Sequence, residues 1–460
     1  MTCKINAGRL PVSRSGNVRT RLSRGAPAAC ALVALVLGQP ARADDLSDLR
    51  GQMQKLQAQI NELQARQESA QAAAAATATK AATDSLKGSF PRSFKLPGTD
   101  TSIRIGGYAK LDAIYDFGPG AGDFVGAGSI PLNGTAAGNR RHIAHLNARE
   151  SRLNVTTETP SDLGTIRSVI EADFYGSGGT QINSNSAGLR LRHAYVTAGP
   201  FLFGQTDSNL TDVRAIAETL DFGGPAGRPF LRQPQARYTL NSGNHLLALS
   251  VENPDSDYVG NTAANTSTPT AVGGLPQVNL SHVPDVVGRY AYTFPWGHLS
   301  AQGVLRRISV DDGRTRDSVL GYQLGASGSV QFLAKDRAFF HVLYGDGGQR
   351  YFAESPGQSA NYNGSRLETQ KAYGGYAGVQ HWWSDTLRST AVYGYQRIRN
   401  DLAVVPATVN KTMQTVNVNF IATLAPSFDV GIEYIYGMRA LENGTRGRVD
   451  RLQTSAIYRF

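Results

Sequence analysis

The 460-residue sequence predicts an all-β fold: a transmembrane antiparallel β-barrel of about 16 strands, with a short N-terminal α-helical coiled-coil stem. Three observations carry that expectation. From Thr101 to the C-terminus the chain alternates apolar and polar residues with a period of two, the signature of strands with two different faces. The polar face carries charge rather than a dry core, as a water-filled lumen requires, while aromatics gather near strand ends. The connections alternate between tight and long, as in bacterial barrels with short periplasmic turns and long external loops.

In chain order, residues 1–43 read as an export signal. They hold Lys4, Arg9, Arg14, Arg19, Arg21, Arg24 and Arg42, no acidic residue, an apolar run from Ala26 to Leu37, and an Ala41-Arg42-Ala43 cleavage site. The apolar run is too short to span a bilayer comfortably. Removing this segment brings the formal charge from +10 to +3, so the basic excess is mostly signal and no nucleic-acid partner is implied. Both cysteines, Cys3 and Cys30, leave with it, which excludes a disulfide scaffold and a Cys-ligated metal.

Residues 44–70 follow as a predicted periplasmic coiled coil. Leu46, Leu49, Met53, Leu56, Ile60 and Leu63 are spaced 3-4-3-4-3, a heptad seam flanked by Gln, Lys, Glu and Arg. Three heptads are marginal alone, and Gly51 costs about 1 kcal/mol. Residues 71–93 are a linker whose alanine-rich run, Ala72–Ala82, either extends the helix or acts as a spacer.

Residues 94–460 form the barrel. In Ser102–Phe117, Ile103, Ile105, Leu111 and Ala113 share one face while Arg104, Lys110 and Asp112 take the other. Sixteen such segments can be drawn, starting near 101, 145, 163, 188, 200, 234, 244, 284, 297, 317, 336, 370, 387, 411, 427 and 447. Tyr290, Tyr292, Phe294 and Trp296, and again Trp382 and Trp383, are read as outward girdle aromatics. Leu452, Thr454, Ala456, Tyr458 and the terminal Phe460 alternate to the chain end. That resembles the last-strand signature by which barrel-assembly machinery recognises its clients, so that machinery is an expected partner through Phe460, with outer-membrane lipid around the wall.

The alternation stops at Gln205–Gln233. This long stretch carries apolar anchors and a glycine-rich hinge (Gly223, Gly224, Gly227), and is expected to fold inward as a constriction loop. After the signal the chain has 31 Arg against 8 Lys. Arg152, Arg167, Arg190, Arg192, Arg237 and Arg289 lie on the inward phase of their strands, with Arg149 and Arg232 close by. Guanidinium groups grip carboxylates bidentately, so such a ladder suits small anionic solutes. The loop contributes Asp207, Asp212, Glu218 and Asp221, and a basic wall facing an acidic loop would put a transverse field across the narrowing. The plainer alternative pairs each arginine with Glu150, Glu158, Glu171 or Asp173 on adjacent strands.

These segments resemble the DcaP-like outer-membrane porins of Gram-negative bacteria. The carriers are Phe94–Phe117 (FKLPGTDTSIRIGGYAKLDAIYDF), Asn147–Pro160, Ile166–Gly176, Leu189–Gln205 and Glu218–Tyr238 (ETLDFGGPAGRPFLRQPQARY). The resemblance implies a homotrimer of 16-stranded barrels, a periplasmic coiled coil, a constriction loop after the fifth strand, and passive uptake of small anions such as dicarboxylates. The Ser/Thr/Asn-rich stretch Asn261–Gly274 matches no motif.

Two other classes remain as alternatives to an anion-selective porin: a non-selective general porin, and a structural barrel tethered to the cell wall through its stem. Catalysis is not expected. No G-x-S-x-G elbow or phosphate-binding G-x-x-x-x-G-K is present, no two histidines stand four apart, and no cofactor or metal is implied.

Overall fold

The computed structural model describes residues 43–176, 182, 184–260, 281–311, 316–355 and 358–460. The expected export signal, as far as residue 42, and the stretch Asn261–Gly274 lie outside them.

The N-terminal unit is one helix, α1 (Ala43–Ser85), which runs on through the alanine-rich stretch instead of ending before it. Alanine has the highest helix propensity, and no glycine or proline intervenes after Gly51. The heptad residues Leu46, Leu49, Met53, Leu56, Ile60 and Leu63 are 46–66% exposed among the described residues.

The second unit is a closed barrel of sixteen antiparallel strands. They are β1 (Ser102–Asp116), β2 (Ile143–Asn147 continued as Arg152–Ser161), β3 (Gly164–Asp173), β4 (Arg190–Ala198), β5 (Phe201–Asp207) and β6 (Arg232–Ser242). Then come β7 (His245–Glu252), β8 (Asp285–Phe294), β9 (Gly297–Asp311), β10 (Arg316–Gln331) and β11 (Arg337–Asp346). The last five are β12 (Lys371–Trp382), β13 (Leu387–Arg399), β14 (Asn410–Ala425), β15 (Phe428–Leu441) and β16 (Arg446–Arg459). Each strand pairs with its neighbour in sequence, and β1 closes the ring against β16 from Tyr108↔Arg459 to Asp116↔Arg451. Closure removes both sheet edges, which a membrane barrel must do because lipid cannot hydrogen-bond a bare edge.

β2 is interrupted part-way along. Its two halves both pair with β1, Asn147 with Asp112 and Arg152 with Tyr108, while residues 148–151 bulge between. The Ser151 hydroxyl repairs the ladder there, accepting from the Lys110 N–H at 3.0 Å and donating to the Lys110 carbonyl at 3.2 Å.

Along each strand, burial alternates. Ile105, Leu111, Leu249, Leu305, Leu324, Val342, Val418 and Ile432 are exposed on the outer face, while Lys110, Gln302, Ser327, Gln396, Asn417, Glu433 and Gln453 are buried inside. This inverts a soluble protein and suits a wall with hydrocarbon outside and polar groups within. The rings of Tyr292, Phe294 and Trp296 pack in sequence at 4.6 and 4.4 Å near the tight-turn end. Trp382 and Trp383 divide, because adjacent residues of an extended chain face opposite ways. Trp383 stacks on the outer-face Phe420 at 6.3 Å, whereas Trp382 lies 5.4 Å from the inward Arg388. Trp382 is therefore not a girdle residue.

At the long-loop end, Tyr258–Gly260, Ala360–Tyr362 and Leu367–Thr369 form a small separate sheet. It packs on Ile308 and Val310 of β9. Beneath it Arg306 is fully buried, bonded to Asp257 at 2.8 Å and Ser359 at 2.8 Å.

Candidate functional site

The stretch between β5 and β6 departs from both strands as Ser208–Leu231, so its expected outermost residues, 205–207 and 232–233, are wall. Its course can be followed strand by strand from its hydrogen bonds. Asn209 donates to the carbonyls of Ala248 on β7 and Val287 on β8. Asp212 takes bonds from Arg289, His298 and Ser327 on β8, β9 and β10. Arg337 of β11 donates to the Ile216 carbonyl, and Tyr376 of β12 to that of Ala215. Glu218 meets Gln380 of β12 and Arg388 of β13, while Asn419 of β14 holds its carbonyl. Glu433 of β15 accepts from the N–H groups of Leu220 and Asp221 at 2.7 and 3.2 Å. The Leu220 carbonyl then receives Gln453 of β16 and Lys110 of β1. The first half of the loop thus follows the inner wall from β7 around to β1. It leaves β2–β6 uncovered.

Three acidic side chains make the strongest of these ties. Asp212 is fully buried and takes Arg289 Nη2 at 2.6 Å, His298 Nε2 at 2.7 Å and Ser327 Oγ at 2.7 Å. Burial alone would raise its carboxyl; the His298 hydrogen bond and the Arg289 charge more than reverse that and hold it well below the ordinary aspartate range. Glu218 is held by a two-pronged Arg388 at 2.7 and 2.8 Å. Asp221 accepts from the Val125 and Gly223 N–H groups and lies 3.5 Å from Arg451.

After Phe222 the loop turns back. Gly227 has φ +76°, and a Cβ there would stand 2.2 Å from the Tyr395 carbonyl oxygen, so only glycine lets the returning leg press this close to β13. The leg ends through Pro229 and Phe230, bonded to Phe352 and Tyr351 in the connection after β11.

The uncovered sector is where the arginines stand. Arg190 grips Asp173 with two bonds at 3.0 and 2.7 Å, and Arg192 bridges Glu171 and Asp173 at 2.7 and 2.9 Å. Arg149 bonds Asp123 at 2.7 Å, and Arg167 bonds Glu158 at 3.0 Å near the tight-turn end. The others are held more loosely. Arg152 reaches Glu171 and Glu150 only at 3.7 and 3.9 Å, and its Nε has no hydrogen-bond partner. Arg232 has Asp207 at 3.8 Å, and Arg237 bonds the Gln235 amide and the Asp207 carbonyl. Arg228, on the returning leg, bonds the loop carbonyls of Gly223 and Phe222.

Aromatic rings also hold guanidinium groups here, beside or in place of carboxylates. Arg228 and Arg232 both stand over Phe230, at 4.2 and 4.6 Å, Arg190 and Arg192 over Phe222, and Arg152 over Tyr108. A ring face fixes a guanidinium plane without consuming its N–H edge.

Loop and arginine sector together enclose a cavity of about 250 Å³. Arg152, Arg192, Arg228 and Arg232 line it, with Glu150, Asp207 and Asp221. Two of those acids are already engaged from behind: Glu150 by Lys110 and Tyr108, Asp221 by Arg451.

Of the residues named from the sequence, Arg149, Arg152, Arg167, Arg190, Arg192, Arg232, Arg237 and Asp207 share the β2–β6 side. Arg289 does not join them: it lies on β8 and serves Asp212. The acidic half of the expected transverse field is rearranged in the same way. Asp212, Glu218 and Asp221 are bound to the wall the loop lies on, because a buried carboxylate needs partners and the nearest donors are on that wall. Arg228, Arg388 and Arg451 were missed. Arg388 and Arg451 follow the inward phase of their strands, so their alternation could have found them; Arg228 sits in irregular chain, where no period applies.

A family model for the DcaP outer membrane protein matches residues 33–460. The chain belongs to the DcaP outer membrane protein family. Membership makes it an outer membrane protein. The crystal structure of the outer membrane channel DcaP of Acinetobacter baumannii matches over 80% of this chain and 99% of that one, at 24% identity and a TM-score of 0.68. Outer-membrane expressed OmpT of Vibrio cholerae covers 79% of this chain and 99% of its own at 12% identity, with a TM-score of 0.48. Among proteins of curated function none matches.

Proposed function

We propose that this DcaP family channel passes small anions by passive diffusion, with dicarboxylates as its preferred class, and that Ser208–Leu231 narrows its lumen. The observation that carries the reading is the cavity between loop and arginine sector. Among the described residues Arg152, Arg228 and Arg232 reach it with no hydrogen-bonded carboxylate: all three stand over aromatic faces, and Arg228 is held as well by the loop carbonyls of Gly223 and Phe222. Two cations on opposing chain segments suit a solute with a carboxylate at each end. The interactions are shared among several arginines, so a solute can be handed along without being trapped. Arg192 lines the cavity with them, Arg149, Arg190 and Arg237 extend the positive wall beside it, and Asp207 limits its surplus charge.

The test is the reversal potential of the purified protein in a planar bilayer under a salt gradient, repeated with R228A/R232A. Anion preference that falls in the double variant supports the reading; cation preference in the unchanged protein overturns it and leaves a general porin.

The assembly belongs to the same proposal: a homotrimer inserted by the barrel-assembly machinery through Phe460, its α1 helices joined as a periplasmic coiled coil. The exposed heptad seam supports it. Loss of the trimer band on unheated gels after L49D/L56D is the expected result; a persistent trimer would remove the helix from the assembly interface.

A further inference from the structure

The outer wall of β11–β14 is layered in a way that the channel does not use. At the long-loop rim the outward phase carries Lys371 opposite Arg399, and Arg397 opposite Tyr373. Among the described residues none of these three cations has a carboxylate at ion-pair distance, whereas Lys411 on the next strand has Glu442 at 3.1 Å. Tyr344 and Tyr373 stand level with Arg397 and Tyr395 one pair deeper, with the Tyr373 and Tyr395 rings 6.4 Å apart and Arg399 5.9 Å above Tyr373. Deeper still, the wall is hollowed. Ala377 and Ala391 stand between Phe340, Val379, Tyr393 and Val416, and the shortened side chains leave an almost wholly apolar groove of about 590 Å³.

The order from rim to mid-wall is therefore cation, phenol, hydrocarbon. At about 3.3 Å per residue, Arg397 lies about 13 Å along the strand from Tyr393 at the groove's upper end. That is the order and scale of a phosphate-headed lipid standing in a leaflet. The long-loop end of a bacterial barrel is the external one, so the leaflet is the outer leaflet. Three cations in one patch, two of them arginines with two-pronged donors, favour a head carrying more than one phosphate.

We propose that this face binds the phosphorylated glycolipid of the outer leaflet, its phosphates on Lys371, Arg397 and Arg399 and one acyl chain in the groove. A second copy of this chain fits less well, because apposing this rim to another surface buries three uncompensated positive charges.

The full-length protein in a neutral detergent, incubated with bis-phosphorylated lipid A and examined by native mass spectrometry, tests the proposal. The unchanged protein retains the lipid. Each rim cation removed in the series R399Q, R397Q/R399Q, K371Q/R397Q/R399Q weakens retention about fivefold. A377L/A391L, which fills the groove, weakens it as well, and an uncharged glycolipid of equal chain length binds poorly and ignores the rim series. Heat-modifiable gel mobility reports folding, and the single R399Q variant keeps the test sound if the triple variant does not assemble. Retention unchanged across the rim series, or no retention by the unchanged protein, overturns the proposal. So does a change of oligomeric mass in the rim variants, which would make this face a protein contact.

Discussion

The barrel interior has two sectors that differ in how their arginines are held. From β7 around to β1, three arginines clamp carboxylates: Arg289 on Asp212, Arg388 on Glu218, Arg451 on Asp116 and Asp221. From β2 to β6, Arg190 and Arg192 are clamped as well, but Arg152 and Arg232 are kept in place by rings and by carboxylates too distant to bond. The difference teaches that counting arginines along a lumen says little about function. A guanidinium with two short bonds to a carboxylate is a fastener. One lying on a phenyl face with its edge free can receive a solute.

The sharpest way to break this comparison is to unfasten the loop. D212A leaves Arg289 and His298 buried without their acceptor, a loss of about 3–5 kcal/mol for a buried pair. The loop then detaches from β8–β10, and single-channel conductance rises and becomes noisy. Conductance equal to the unchanged channel would mean that the loop does not set the narrowing. Next in size is R228A/R232A, expected to lower the anion-to-cation permeability ratio several-fold while conductance stays nearly the same. G227V is smaller. It forces a side chain into a left-handed position against β13, about 1–2 kcal/mol of backbone cost before any clash is counted, and it should raise conductance without altering ion preference.

Acid offers the same test without mutation. The Asp212 carboxyl is depressed in the folded protein, so its tie is fully present above the ordinary aspartate value of 3.8 and is lost as pH falls through its lower folded value. Conductance is therefore expected to hold at pH 4 and to rise only in stronger acid, and D212N should abolish that rise. The smallest effect is expected of R167A. Arg167 is 42% exposed and paired with Glu158, a kind of pair worth about 0–1 kcal/mol, and reversal potential should hardly move.

The fold was far more legible than the site. Each of the sixteen strand starts read from alternation lies within two residues of the observed one, because a wall between lipid and water imposes its two-residue period on every strand. The period also told which arginines point inward. It could not tell which are occupied, since that depends on the path of Ser208–Leu231, and irregular chain has no period to read. Glu433 is a case in point: its phase marks it as inward, but nothing local says that two loop N–H groups will end on its carboxylate. Arg228 was hidden for the same reason from the other side.

The Leu220 carbonyl takes one hydrogen bond from β1 and another from β16, the two strands that meet at the closing seam. Those donors lie 110 residues before it and 233 after it in the chain. They come together only when the last strand has found the first. The loop's final clasp is therefore complete only once the ring has closed, and a single carbonyl oxygen reports on both events.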